Sequence, residues 1–151
     1  MKNAFTMIEL IFVIVVLGIL AGVAIPRIAV TRDDATVAKM RGDLAAIRSG
    51  ISLKRGEMQL EGNASWPVLE GTGSGLFDNV LQQDIKNSAQ NSRNGWCQTK
   101  VSDDAPEYEA YVAGQKTTFK YYRTKDETPA GKKTGTFDCD HAETLCKALA
   151  E

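Results

Sequence analysis

FTMIELIFVIVVLGILAGVAIP, residues 5–26, is the stretch that decides the architecture of this chain. Between Leu10 and Pro26 it carries no charge, and Glu9 is the single charged residue in the whole stretch. As an α-helix it would be about 33 Å long at about 1.5 Å per residue, enough to cross a hydrocarbon core of about 30 Å. A carboxylate within such a segment costs at least a few kcal/mol at mid-bilayer, so Glu9 needs a functional reason.

The rest of the chain has the composition of a polar domain. The 151 residues carry a formal net charge of −1, with a mean hydropathy of −0.23 and a pI of about 5.9. Because the first 26 residues are almost wholly apolar, the remainder must be distinctly polar. These values predict one anchored head rather than a bundle of membrane helices. The net charge gives no overall signal for nucleic-acid binding.

Two common interpretations explain the apolar segment only in part. A cleaved secretory signal would use residues 22–24 as its cleavage site. Glu9 would then stand where the apolar core of the signal should begin, and the helical pattern continues past the cut. A plain uncleaved anchor explains the length but not Glu9. The basic residues Lys2, Arg27 and Arg32 would by themselves place the following domain in the cytoplasm.

The segment resembles the processing site of type IV pilins and type II secretion pseudopilins. The resemblance rests on the short leader MKNA at residues 1–4, the sequence FTMIE at residues 5–9 and the apolar run that follows. It implies that prepilin peptidase cuts between Ala4 and Phe5 and that the new amino group of Phe5 is methylated. Family members usually carry glycine before the cut, and Ala4 is also small enough for a tight peptidase subsite.

The resemblance also implies a domain organisation and a location. Residues 1–4 would be a leader peptide, residues 5–26 a transmembrane and assembly helix, and residues 27–151 a periplasmic head that includes the second half of the long helix. The chain would cross the bacterial inner membrane once and enter a filament after assembly. The implied architecture is α+β and pilin-like, with a long helix whose first half spans the membrane, packed on a small antiparallel sheet.

Function would then come from assembly and not from catalysis. The resemblance implies a structural subunit of a type IV pilus, or of a pseudopilus in type II secretion or in DNA uptake during competence. The implied partners are other pilin or pseudopilin subunits, prepilin peptidase, an inner-membrane assembly platform, and DNA or a secreted substrate. Glu9 would pair with the cationic amine of Phe5 in a neighbouring subunit, since a buried charge persists only when paired. The alternative is a membrane-anchored or secreted periplasmic binding module with no filament role.

Helical periodicity continues beyond the apolar run. Pro26 has no N–H to bond the carbonyl of Gly22, and Gly18 weakens the helix further, so a kink or a melted turn is expected there. Pilin-like helices carry Gly and Pro at such positions. The apolar residues that follow recur every three or four positions and predict one long helix from Phe5 to about Arg55, ended by Gly56 or Gly62. The stripe consists of Val37, Met40, Leu44, Ile47 and Ile51.

The C-terminal part of the chain carries strand patterns. A small antiparallel sheet is predicted, with a hairpin turn at Gly114-Gln115. A loop at residues 62–75, a short helix at residues 76–81 and a short terminal helix or turn at residues 140–150 complete the prediction. The four predicted strands are residues 96–101, 107–113, 117–123 and 135–139. A long helix on such a sheet makes an α+β head, which the periodicity predicts independently of the resemblance.

Three cysteines leave at least one thiol unpaired within the chain. A disulfide between Cys139 and Cys146 is favoured because it would pin the C-terminal segment. Cys97 is an alternative partner for either, and all three would stay reduced in a cytoplasmic head.

No residue set predicts an enzyme, a metal site or a cofactor. A single histidine, His141, without any C-x-x-C pair makes a poor zinc set, and no nucleophile motif is present. The glycines at residues 71–75 do not match a phosphate-binding loop. The acids near Pro106 and Cys139 favour solvated loops over a calcium site. The basic residues between Lys116 and Lys133 favour a solvated surface over a DNA-binding patch.

Overall fold

The computed structural model describes residues 6–127 and 131–151, without the side chains of residues 24–31. The chain divides into two compact units, Met1–Ala35 and Thr36–Glu151, and each is described by itself. The elements are α1 (Met7–Leu60), β1 (Gly95–Lys100), β2 (Glu107–Val112), β3 (Gln115–Tyr121), β4 (Phe137–Cys139) and α2 (Thr144–Ala150).

The first unit is formed by the beginning of helix α1. The helix is continuous through Gly18, Gly22 and Pro26, so the backbone does not melt into a non-helical turn at these residues. The other expected outcome, a kink within a continuous helix, stays a prediction. Ala4 and Phe5 lie outside the described residues.

In the second unit, helix α1 packs one apolar face into the core. Met40, Leu44, Ile47 and Ile51 are each no more than 2% exposed, and Val37 packs against them partly buried. The helical periodicity therefore identified the buried face of this half of the helix.

Helix α1 ends at Leu60 and is capped by Gly62, the later of the two glycines proposed from the sequence to end it. The N–H of Asn63 donates to the carbonyl of Met58 at 2.8 Å, and the N–H of Gly62 donates to that of Gln59 at 3.1 Å. This is the bond pattern of a Schellman cap, and it needs a left-handed residue at Gly62, whose φ is +82°. Because Gly56 stays inside the helix, the helix extends to Leu60, five residues beyond the predicted Arg55.

The four strands form one antiparallel sheet in the order β1-β2-β3-β4. The hairpin between β2 and β3 turns at Ala113-Gly114, whose φ angles are +54° and +81°, and Gln115 pairs with Val112. The predicted turn at Gly114-Gln115 was therefore wrong by one residue. Strand β3 correspondingly begins earlier than predicted and ends at Tyr121.

Residues 76–81 form a tight turn where a short helix was predicted. Leu76 makes an isolated bridge with Ile85, and Phe77 has a φ of +63°, which no α-helix accommodates. The inward orientation was nevertheless right, since Leu76 and Phe77 are buried and Val80 and Leu81 pack partly buried against the core. The Phe77 ring packs against those of Trp96, Tyr108 and Phe137. Phe119 completes this aromatic cluster through Trp96 and Phe137.

Candidate functional site

Apart from Glu9, the first turns of helix α1 display a wholly apolar surface. Every large apolar side chain from Met7 to Val23 is exposed, with exposed fractions between 37% at Val16 and 80% at Met7. Successive helical residues point about 100° apart, so a run without polar interruptions covers every side of the helix. A helix that is apolar all round normally lies in a protein core or a membrane.

Helix α1 begins with a reciprocal cap between Thr6 and Glu9. Thr6 precedes the first helical residue, and its hydroxyl accepts the backbone N–H of Glu9 at 3.4 Å. The same hydroxyl donates to the Glu9 carboxylate at 3.5 Å, and the N–H groups of Glu9 and Leu10 bond the Thr6 carbonyl. The residue spacing is that of a capping box, but the Glu9 carboxylate bonds the Thr6 hydroxyl and not its backbone N–H, so the side chains satisfy one backbone donor of the first turn.

The structure thus brings Thr6 and Glu9 together at the start of the apolar surface. Glu9 is exposed and lies in the first turn, where a negative charge is favoured by the helix dipole. The pairing expected between Glu9 and Phe5 of a neighbouring subunit remains a prediction. Sequence reasoning missed the role of Thr6, although T-x-x-E just before an apolar run is a known signal for a helix start.

Among the residues that the structure describes, no helix combines the length and the apolarity that crossing a membrane requires.

Several of the basic residues late in the chain pair with neighbouring carboxylates. Lys116 pairs with Glu109 at 2.6 Å and Lys120 with Glu127 at 3.2 Å. Hydrogen bonds from Lys116 and Tyr111 lower the pKa of Glu109, and each outweighs the opposing effect of burial. Lys132 bonds Asp138, so half of the six basic side chains between Lys116 and Lys133 are paired. This arrangement favours a charge-balanced surface.

The acid beside Cys139 belongs to a polar network and not to an open loop. Asp138 accepts hydrogen bonds from Arg48 at 3.0 Å, from His141 at 3.1 Å and from Lys132. Burial raises the pKa of Asp138, but Lys132, the N–H of Cys139 and His141 together more than offset it and hold the pKa below its ordinary value. Arg48 also donates to the carbonyl of Phe137 at 3.1 Å and so joins helix α1 to strand β4.

The glycine-rich loop directs its amides at a side chain of the protein. The N–H groups of Gly71 and Gly73 each donate to the Asp78 carboxylate at 2.6 Å. The bond from Gly71 is the main reason why the pKa of Asp78 lies below its ordinary value. The loop is therefore a turn closed by Asp78, as expected of a linker and not of a phosphate-binding loop.

A disulfide joins Cys139 at the end of strand β4 to Cys146 in helix α2, with a Cα–Cα distance of 5.9 Å. This is the pair that the sequence favoured. Cys97 is a free and buried thiol. Burial and the neighbouring charge of Glu109 raise its pKa, so it carries little thiolate at neutral pH.

Comparison with known proteins identifies the N-terminal segment. Residues 1–25 match the family model of the prokaryotic N-terminal methylation motif. The chain is 36% identical over 52 residues to type II secretion system core protein G of Pseudomonas aeruginosa. The aligned region covers 34% of this chain and 37% of that protein. It is 43% identical over 51 residues to type IV narrow pilus major component PilA5 of Thermus thermophilus. This second aligned region covers 34% of this chain and 44% of that protein.

These matches confirm the resemblance of the N-terminal segment to type IV pilins and type II secretion pseudopilins. The match spans less than half the length of either curated relative. No solved structure gives a significant match to the chain. The relatives are thus informative about a third of the chain, and the rest has to be understood from its own residues.

Proposed function

We propose that this chain is a structural subunit of a type IV pilus-like filament or pseudopilus, processed by prepilin peptidase and assembled through its N-terminal helix. The observation that carries the proposal is the apolar surface from Leu10 to Val23, exposed on every side and preceded by the capped acid Glu9. Such a surface needs a cover, and neighbouring copies of the same helix, or lipid before assembly, supply one. Pilus, secretion and DNA-uptake machines all fit this logic.

The proposed life of the subunit has two stages. Before assembly, residues 5–26 hold the chain in the inner membrane, and the head lies in the periplasm. An oxidising compartment suits the Cys139–Cys146 disulfide, which would not persist in a reducing cytoplasm. After assembly, the same apolar residues pack against those of neighbouring subunits, while the assembly platform and the peptidase remain in the membrane.

Glu9 gives the assembled state its specificity. Removal of residues 1–4 would leave a cationic amine on Phe5, which enters an apolar environment together with the helix start. A buried charge is strongly destabilising when alone and tolerated when paired. The cap from Thr6 holds the Glu9 carboxylate near the N-terminal end of the helix, where the amine of an adjacent copy can reach it.

The test is intact mass and N-terminal sequencing of the protein purified from its native membrane. A chain that starts at N-methylated Phe5 supports the proposal. A chain that starts at Ile25 would make it a secreted soluble protein and contradict any role in a filament. An intact Met1 would contradict processing. The variant Ala4→Gly then distinguishes a plain uncleaved anchor from a cleavage site that Ala4 blocks, because the substitution restores cleavage only in the second case.

A further inference from the structure

The sequence Asn63-Ala64-Ser65 directly follows the end of helix α1. It matches the N-x-S/T pattern of asparagines that accept an N-linked glycan, in which the middle residue is not proline. No other asparagine of the chain has serine or threonine two residues later. Such a short pattern also arises by chance, so its weight depends on the surroundings of Asn63.

All three residues of this segment, which we call the Asn63 acceptor, are exposed. The N–H of Asn63 belongs to the helix cap, where it bonds the carbonyl of Met58 at 2.8 Å. Among the described residues, the main chain of Ala64 and Ser65 makes no hydrogen bond to other main-chain groups. An enzyme can therefore bind the segment as a surface loop without breaking a helix or a strand.

The two side chains that the pattern requires are in contact. The backbone N–H and the hydroxyl of Ser65 both donate to Oδ1 of Asn63, at 2.9 and 2.6 Å. No residue that the structure describes bonds Nδ2 of Asn63, the atom that would receive the sugar. By contrast, Nδ2 of Asn79 donates to the carbonyl of Val68 at 2.7 Å. Because the bonds from Ser65 lie at the surface, water or groups of an enzyme can replace them.

A carboxylate precedes the acceptor. Glu61, two residues before Asn63, is exposed and has no ion pair within residues 6–127 and 131–151. On the same helix, Glu57 pairs with Lys54 at 3.0 Å. The charge of Glu61 is therefore available to attract a cationic group of an enzyme that binds the segment, and charge complementarity of this kind gives specificity.

The compartment is the remaining requirement. N-linked glycans occur on surface loops of proteins outside the cytoplasm. The disulfide between Cys139 and Cys146 suits an oxidising compartment of that kind. In this respect the Asn63 acceptor depends on the proposed function, which puts the head in the periplasm.

We propose that Asn63 is an N-glycosylation site, which takes its glycan from a lipid-linked glycosyl pyrophosphate through a transferase. A bond forms between Nδ2 of Asn63 and C1 of the first sugar, and the bond from C1 to the pyrophosphate oxygen breaks. The lipid pyrophosphate leaves with the electron pair, and the proton from Nδ2 passes to a base of the transferase. An enzyme is needed because the lone pair of an amide nitrogen is delocalised into its carbonyl group.

The glycan would also define a surface of the head. An N-linked glycan is bulky and solubilising, so a modified Asn63 cannot be buried between subunits. Leu60, the last residue of helix α1, is 91% exposed in the single chain. In the proposed filament, this end of the helix would stay in contact with solvent after assembly.

The experiment is mass spectrometry of the full chain purified from its native membrane. Trypsin releases residues 56–86 as one peptide, which contains both Asn63 and Asn79. Electron-transfer fragmentation of this peptide assigns an added mass to one of the two asparagines. We expect the mass of one or more sugar residues on Asn63 and an unmodified Asn79.

Substitutions in the native host test the chemistry. Asn63→Gln and Ser65→Ala should each abolish the added mass, whereas Ser65→Thr should keep it because it retains the hydroxyl. Glu61→Gln should reduce the modified fraction several-fold. Asn87→Gln is the matched control, because Asn87 is also exposed but is followed two residues later by Ala89. It should leave the added mass unchanged.

An unmodified Asn63 in the native protein would overturn the proposal, and so would an added mass that Ser65→Ala retains in full. The first residue of the chain, read from the same digest, separates this result from the filament proposal. A glycan on a chain that starts at Ile25 would support the acceptor and contradict the filament. A chain that starts at N-methylated Phe5 and carries no glycan would do the reverse.

Discussion

Helix α1 contains two apolar stretches whose surroundings are opposite. From Met7 to Val23 the apolar residues follow one another without a period, and all the large ones are exposed. From Met40 to Ile51 they recur every three or four residues and are fully buried against the sheet. The difference teaches that apolar content alone does not define a core. A periodic stripe is matched to a partner within the chain, whereas an all-round surface has to be covered by something outside it.

The largest effect is expected from the one charge in the exposed stretch. Glu9→Ala should reduce filament assembly by at least about tenfold, since a buried amine without its partner costs about 3–5 kcal/mol. Filament yield by sedimentation and electron microscopy measures this effect. Intact mass should show unchanged cleavage, and denaturant unfolding should show an unchanged head. Glu57→Ala, at an exposed acid of the same helix, is the control, and filaments of Glu9→Ala at the parent's yield would contradict the role of Glu9.

Shortening one isoleucine in each stretch tests the comparison directly. Ile47→Ala should lower the free energy of unfolding of the head by about 2–5 kcal/mol, because Ile47 is fully buried and its loss leaves a cavity. Ile14→Ala removes the same atoms from a side chain that is 57% exposed, and the head should unfold as in the parent. Denaturant unfolding of the full chain in detergent, followed by tryptophan fluorescence, measures both. Equal losses would mean that the two stretches are not distinct.

The disulfide should contribute less than the core. Replacing Cys139 and Cys146 together by alanine should cost about 2–3 kcal/mol, as expected for a crosslink that closes a short loop. Cys97→Ala is the matched control, since this thiol is buried but unpaired, and it should cost less. Reductant should lower the thermal stability of the parent and of Cys97→Ala, and leave the double variant unchanged. A parent that is insensitive to reductant would contradict the crosslink.

The smallest effect concerns a carboxyl inside the head. Burial raises the pKa of Glu70 above its ordinary value of 4.5, although the Tyr108 hydroxyl and the Phe77 N–H partly counteract it. The folded state therefore retains a proton that the unfolded state releases, and stability falls as the pH rises above about 4.5 through the folded-state pKa. Glu70→Gln should remove this fall and stabilise the head at pH 7 by up to about 1 kcal/mol, with no gain at pH 4. A gain of the same size at both pH values would exclude titration as its cause.

Periodic patterns predicted most of the fold, and left-handed residues account for the errors. The stripe from Val37 to Ile51 and all four strands follow from local periodicity. The prediction of a helix at residues 76–81 was wrong, because the backbone of Phe77 is left-handed while its ring lies in the aromatic core. The hairpin turn was displaced because Ala113, which has no preference for a positive φ, takes the first turn position.

The candidate sites divide in the same way. Glu9 stands out in the sequence because it interrupts an apolar run, and the partner that caps it is only three residues away. The pattern at Asn63 is also local, since Asn63 and Ser65 are two residues apart, but a pattern this short says little by itself. The exposure of the Asn63 acceptor and the contact between its two side chains are known only from the fold.

The bond from Arg48 to the carbonyl of Phe137 has a consequence for how copies of this protein can associate. Strand β4 is an edge of the sheet, and an edge with free main-chain groups invites a strand from another molecule. Arg48 occupies one of those groups, and at the opposite edge the N–H of Ser88 occupies the carbonyl of Trp96 at 2.8 Å. Both margins of the sheet are thus partly closed to the edge-to-edge strand addition that leads to amyloid-like polymers. In the proposed filament, ordered growth would therefore depend on helix α1.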